Sequence, residues 1–327
     1  MTRWFVDAWD PAYGMSADGG DGPATRSSAE VDPDVEVPAD AWAPRTAPAD
    51  VRAPDVVLLV DGVRRNDAGM WTAEDDGASY PGLAASYAAG VVRCDLRRGV
   101  AELAGSRVAR GLFTASPAAA GELAAGQVRY PVHQVPGADP QRLAAAVQPR
   151  LTALEVDISA EARATGDELL IVDGPLRSRR QLPHTLGYVK TQQSQYLPPA
   201  LAGVVTALRP GERSPVFRVG TRWHSYSWYL RLPGRHGAPW AGIVRVECSV
   251  EWPVNEAIAL ADVSMVTLPR FASNAYKDPR APQNLVPIAG LERRLRGLLG
   301  DSRLLHRALS AAAARPLPAA AGPAALS

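Results

Sequence analysis

One short phrase is written twice in this chain. At residues 56–62 (VVLLVDG) and again at 169–174 (LLIVDG) an aliphatic, β-branched run closes on Val-Asp-Gly, and arginines follow both times. Runs that short and that rich in Val and Ile predict strands buried on both faces rather than helices. In each case the Asp-Gly pair is expected to end the strand, the glycine letting the backbone turn away so that the carboxylate stands on the rim. A lone Asp-Gly is ordinarily a turn and nothing more. Two of them, each ending a buried strand and each leading into guanidinium groups, point to a shared site.

The segments between them fit one fold. Residues 83–94 and 99–113 are β-prone and are joined at Arg97-Arg98-Gly99, which predicts a meander after the first strand. A helix is expected over 140–165, with Asp139 as N-cap and Pro140 at its first position. Leu143, Val147, Leu151, Leu154, Ile158 and Ala162 form its apolar face, and Pro149 should kink or split it. A meander, a crossover helix and a further strand give an α/β fold, a ribonuclease H-like mixed sheet with flanking helices. The first and fourth strands then lie side by side and bring Asp61 and Asp173 to neighbouring carboxyl ends, where open α/β sheets bind ligands.

Glu155 is the expected third acid. It lies four residues after Leu151 and three before Ile158, inside the apolar stripe, where a carboxylate is costly unless something pairs with it. Asp157 and Glu161 fall on other faces and read as solvated charges. Three oxygen ligands without Cys or a close His pair favour Mg²⁺ or Mn²⁺ over Zn²⁺. His133, His184, His224 and His236 lack metal-like spacing and read as structural, and Cys94 and Cys248 read as small buried hydrophobes.

Charge decides less. The balance is +1, from 35 basic and 34 acidic residues, so no whole-molecule field announces a polyanion partner. Only two of the 35 basic residues are lysine, Lys190 and Lys277, which leaves 33 arginines. Neither lysine follows a glycine, so there is no phosphate loop and an ATP-driven motor would have to be another protein. Arg64 and Arg65 after the first Asp-Gly, and Arg177, Arg179 and Arg180 after the second, suit phosphate. Lys190, retained in Gly187-Tyr188-Val189-Lys190, marks a place for a compact point charge. The chain divides into a partly flexible segment at 1–50, a catalytic domain at 51–309 and a flexible Ala/Pro tail at 310–327. Residues 1–10 carry Trp and two Asp where a signal peptide is apolar, and no run reaches a membrane span, so a cytoplasmic location is expected.

Six segments in order resemble the NurA nucleases of DNA end processing: LLVDGVRR at 58–65, the helix around Leu154-Glu155, LLIVDGPL at 169–176, GYVKT at 187–191, YSWYLRL at 226–232 and IVRVE at 243–247. The resemblance implies the same ribonuclease H-like core, with Asp61, Glu155 and Asp173 binding Mn²⁺ or Mg²⁺ and Lys190 as an active-site base or phosphate contact. It implies a 5′–3′ exonuclease and single-strand endonuclease in double-strand break repair, acting on DNA ends as a homodimer beside a HerA-type hexameric ATPase. The alternatives are a non-catalytic DNA-clamping or motor-docking subunit of the same fold, or a small-substrate phosphohydrolase. The chain departs from the family near its C-terminus, where PQNLVPIAGLERRLR at 282–296 has no histidine; Asn284 or Glu292 stands in the equivalent space, and His306 lies further on. Trp223, Tyr226, Trp228 and Tyr229 are read as a core strand, with base stacking as the alternative. Trp4-Phe5-Val6 and a helix over 291–309 are the candidate motor-docking surfaces, the alternative for the helix being that it packs on the sheet.

Overall fold

The computed structural model describes residues 25–26, 29–74, 76–164, 167–176, 182–190, 194–220, 224–234 and 238–313. The chain divides into two compact units, one of Met1–Gly62, Ala89–Arg107 and Thr152–Leu295, the other of Val63–Ala88, Val108–Leu151 and Arg296–Ser327. The strands are β1 (Thr25–Arg26), β2 (Glu30–Asp32), β3 (Val56–Ala73), β4 (Ser79–Asp95), β5 (Val100–Thr114), β6 (Glu122–Ala125), β7 (Val128–Gln134), β8 (Leu169–Asp173), β9 (Thr185–Val189), β10 (Ser194–Gln195), β11 (Phe217–Gly220), β12 (His224–Arg231) and β13 (Ile243–Ser249). The helices are α1 (Pro140–Ala145), α2 (Val147–Ala162), α3 (Pro199–Thr206), α4 (Val254–Thr267), α5 (Val286–Leu298) and α6 (Ser302–Ala313). None of the described helices is long and apolar enough to cross a membrane.

In the first unit the strands run in the order β2-β11-β12-β13-β9-β8-β3-β4-β5. β8 lies parallel to both β3 and β9, while β13 pairs antiparallel with β9 and with β12, so the sheet is mixed. Residues 57–60 and 169–172 are buried throughout, as their composition requires. A second apolar cluster joins Trp42, Leu201, Val205, Phe217, Tyr229 and Ile243. Within the segment at 1–50 expected to be partly flexible, Trp42 thus belongs to the core, and Val31 of β2, a strand paired with β11, packs against it. Trp228 is also core, its indole N–H donating to Ser264 Oγ on α4 at 3.0 Å, and Tyr229 is buried as well, while Tyr226 is half-buried. Trp223 lies outside the described residues.

Helix α5 covers part of this sheet through Ile288, Leu291 and Leu295. It comes so close that a Cβ on Gly90 would sit 2.9 Å from Leu291 Cδ1. The helix expected over 291–309 is in fact two, because Gly300 at φ 82° ends the first and α6 restarts beyond it. The first four residues of the expected tail, 310–313, continue α6; residues 314–327, like Trp4-Phe5-Val6, lie outside the described residues.

In the second unit β3, β4, β5, β7 and β6 are neighbours in that order, with α6 seated on a core of Ala84, Leu112, Ala125, Tyr130 and Leu309. Asp139 caps α1 by accepting from Gln141 N at 2.9 Å, with Pro140 at the first turn. The helix breaks at Ala146, three residues before Pro149, which the first turn of α2 accommodates because its N–H would be unpaired there anyway.

One expected boundary is wrong. β3 does not end at Asp61-Gly62 but runs on to Ala73. After Val60 it has left β8 behind yet keeps β4 alongside, and that ladder holds the backbone extended. Only the second Asp-Gly turns, with Gly174 at φ 107°.

Candidate metal centre

The parallel register fixes the first two acids. Val60 lies opposite Val172, so Asp61 and Asp173 are the next residues on two adjacent strands, both pointing out of the sheet where the β3–β8 pairing stops. β9 runs parallel beside them with Tyr188 opposite Asp173, and the residue just past its end is Lys190. Lys190 Nζ donates to Asp173 Oδ2 at 2.5 Å and to Asn284 Oδ1 at 3.0 Å. Three parallel strands therefore deliver two carboxylates and an ammonium to one sheet edge, the edge at which α/β sheets hold ligands.

The third carboxylate comes from α5. Glu292 follows Ile288 by four residues and precedes Leu295 by three, so packing of those side chains on the sheet carries Glu292 to its rim. One ligand oxygen from each of Asp61, Asp173 and Glu292 lies within 4.8 Å of the others. The turn before α5 braces the group. Arg280 lays its guanidinium along Glu292, with contacts of 3.3 and 3.4 Å, and its backbone N–H donates to Asp278 Oδ1 at 2.8 Å. Asp278 in turn accepts from the amide of fully buried Asn284, and Tyr188 Oη donates to Gln283 O at 2.6 Å.

Burial sets the electrostatics. It pushes the Asp61 carboxyl well above the ordinary carboxylate range, the charges of Asp173 and Glu292 push further, and Lys190 and the Gly62 N–H oppose them. The Asp173 carboxyl is raised too, first by burial and in part by Glu292, against the pull of Lys190 and Arg280. For Asp278 burial also acts upward, but the Asn284 amide and Arg280 outweigh it and hold the carboxyl below its usual value. Crowded acids that resist ionisation are the condition a cation relieves. The donor set is all oxygen, which fits a hard ion such as Mg²⁺ or Mn²⁺.

Glu155 is buried on α2, as its stripe position requires, but it is not one of the three gathered carboxylates. Periodicity fixes which face of a helix is buried and says nothing of what that face meets. Glu161, exposed, pairs with Arg107, in keeping with its solvated reading. Arg64 donates to Ala144 O at 3.3 Å, while Arg65 is spent on buried Asp67 at 2.9 Å and on Gly300 O at 2.7 Å, so both have structural partners. Arg177, Arg179 and Arg180 lie outside the described residues. Cys94 and Cys248 are free, buried thiols with pKa values pushed by burial to about 11 and about 12. Asn284 and Glu292, named for the space of the missing histidine, are both here. Asp278 and Arg280 are additional, and their only sequence signal is an Asp-Pro-Arg turn just before a strongly patterned helix.

No protein-family model matches the chain, and no curated protein does. Among solved structures it is similar to an endonuclease V from Bacillus subtilis, with 12% identity and a TM-score of 0.36 over 78% of this chain and 85% of that one. A likeness at that level assigns neither fold family nor activity.

Proposed function

We propose that this chain is a divalent-metal-dependent DNA nuclease of the NurA type, built on a ribonuclease H-like core. The observation that carries the reading is the convergence of Asp61, Asp173 and Glu292 within 4.8 Å beside Lys190. The order β9-β8-β3-β4-β5, with β9, β8 and β3 parallel, supports the core assignment. In this reading those three acids hold Mn²⁺ or Mg²⁺, with Glu292 in the space where the family resemblance implies a histidine. A bound cation of this kind polarises phosphoryl oxygens and lowers the pKa of water. Lys190 supplies a point charge toward the phosphate, where negative charge grows in the transition state. Arg280 and Asn284 do not touch substrate; they hold Glu292 and Lys190 in place.

The rest of the reading follows the sequence resemblance: 5′–3′ exonuclease and single-strand endonuclease activity on DNA ends, in the cytoplasm, as a homodimer with a HerA-type hexameric ATPase. The test is purified protein with end-labelled DNA and Mn²⁺ or Mg²⁺. Cleavage that EDTA abolishes is expected. Binding without cleavage would favour a clamping subunit, and hydrolysis of small phosphate esters with intact DNA would favour a phosphohydrolase.

A further inference from the structure

The turn over residues 274–280 does two things at once. On one side it is tied into the carboxylate centre, through Asp278 to Asn284 and Lys190 and through Arg280 to Glu292. On the other it holds Tyr276 out to solvent at 92% exposure, the highest of any large apolar or aromatic side chain among the described residues. The backbone beneath that ring is fixed: Asn274 Oδ1 accepts from Tyr276 N at 3.0 Å, and Asn274 O accepts from Lys277 N at 2.8 Å and from Asp278 N at 3.0 Å. The exposure therefore belongs to a structured turn, and the ring has no part in the core. The neighbour is informative as well. Of the two lysines in the whole chain, one is Lys190 in the centre and the other is exposed Lys277, next to Tyr276.

We propose that this turn grips single-stranded nucleic acid, with Tyr276 stacking on an unpaired base and Lys277 meeting an adjacent backbone phosphate. The inference rests on the nuclease reading and adds a substrate contact to it. Tyr276 is two residues from Asp278, which places its Cα within about 8 Å of that anchor. A strand with its scissile phosphate at the carboxylates thus passes the ring within a few nucleotides. Stacking on an aromatic side chain next to a cation tolerates any sequence, because every base has a π-face. Such a grip selects for frayed or single-stranded ends, in which bases are free to splay outward.

The test is anisotropy of fluorescein-labelled oligo(dT) in EDTA, where binding is read without cleavage, using wild type, Tyr276→Ala, Tyr276→Phe and Lys277→Ala. Base stacking predicts that Tyr276→Ala weakens binding by about 5- to 150-fold while Tyr276→Phe stays near wild type. Lys277→Ala should lower the slope of log affinity against log salt by about 0.7. With Mn²⁺, Tyr276→Ala should raise KM for oligo(dT). Equal affinity of wild type and Tyr276→Ala, with DNA cleavage intact, would overturn the grip and leave the nuclease reading standing; so would a Phe variant as weak as the Ala variant. A wild type that neither binds nor cleaves DNA would overturn both.

Discussion

Replacing Asp61 with asparagine should make the metal-free protein more stable. Two unit charges at 4.8 Å, the outer spacing of the three carboxylates, repel by about 3.5 kcal/mol at an effective dielectric of about 20. Asp61→Asn keeps the shape, removes its repulsion with Asp173 and Glu292, and gives up an attraction to Lys190 of opposite sign. The pull of Lys190 on Asp61 exceeds the push of Glu292, so the balance falls below one such repulsion, to a gain of about 2 kcal/mol. Unfolding entropy of about 2.1 cal/mol/K per residue, over 327 residues, turns that into a rise in Tm of about 3 °C in EDTA. A cation at a hundred times its Kd adds about 2.7 kcal/mol to a protein that binds it, so wild type should gain about 4 °C with Mn²⁺. The variant, lacking one ligand, should gain little, and the order of the two melting curves should invert. Calorimetric or fluorescence-detected melting in EDTA and in Mn²⁺ reads both arms. An asparagine variant that melts below wild type in EDTA, or gains as much from Mn²⁺, would refute the carboxylate-repulsion reasoning.

Three more outcomes follow from particular contacts. Lys190→Ala should lower kcat about a hundredfold and Lys190→Arg nearly as much, with DNA affinity only modestly reduced, because a planar fork does not replace the ammonium between Asp173 and Asn284; single-turnover kinetics check this. Gly187→Ala would place a Cβ 2.9 Å from Glu247 Cγ and 3.0 Å from Gly174 O, costing about 1–3 kcal/mol in urea titration and displacing the strand that ends in Lys190, so cleavage should fall with stability. Glu36 pairs with buried Arg213, and although burial acts upward, Arg213, the Val216 N–H and Arg45 hold its carboxyl below the usual 4.5. Its contribution is therefore complete above that value and is lost as pH falls through the lower folded pKa. Glu36→Gln should cost about 3 kcal/mol at pH 7, and the gap to wild type should close in acid denaturation profiles below about pH 4.5.

The strands were the most legible part of this chain, because an unbroken run such as Leu169-Leu170-Ile171-Val172 has few ways to be buried, and its composition alone rules out most of them. The N-cap at Asp139 was equally plain, since Asp-Pro ahead of an apolar periodicity has a local physical meaning. Boundaries set by partners were not legible: β3 runs past Asp61-Gly62 because β4 continues beside it, and nothing within VVLLVDG reports that neighbour. The site divides in the same way. Asp61 and Asp173 announce themselves by closing two matching apolar runs, and Lys190 by being a rare residue type. Glu292 is delivered by the docking of α5 more than a hundred residues later in the chain, and a helical stripe shows only that Ile288, Leu291 and Leu295 are buried, not that the adjacent carboxylate meets two others. Glu155 is the mirror case, correctly placed in depth but absent from the three carboxylates that gather within 4.8 Å. Arg65 shows the limit of reading charge from order along the chain, since its phosphate-like partner is the buried Asp67 two residues on.

Cleavage of end-labelled single-stranded DNA in Mn²⁺, with wild type, Glu292→Gln and Glu161→Gln assayed side by side, bears most directly on the metal centre. Wild type and Glu161→Gln should cleave at equal rates and stop on addition of EDTA, while Glu292→Gln, though folded, should lose about a hundredfold or more. A wild type that leaves the DNA intact, or a Glu292→Gln enzyme as fast as wild type, would contradict the assignment of Asp61, Asp173 and Glu292 as the cation-binding centre of a nuclease.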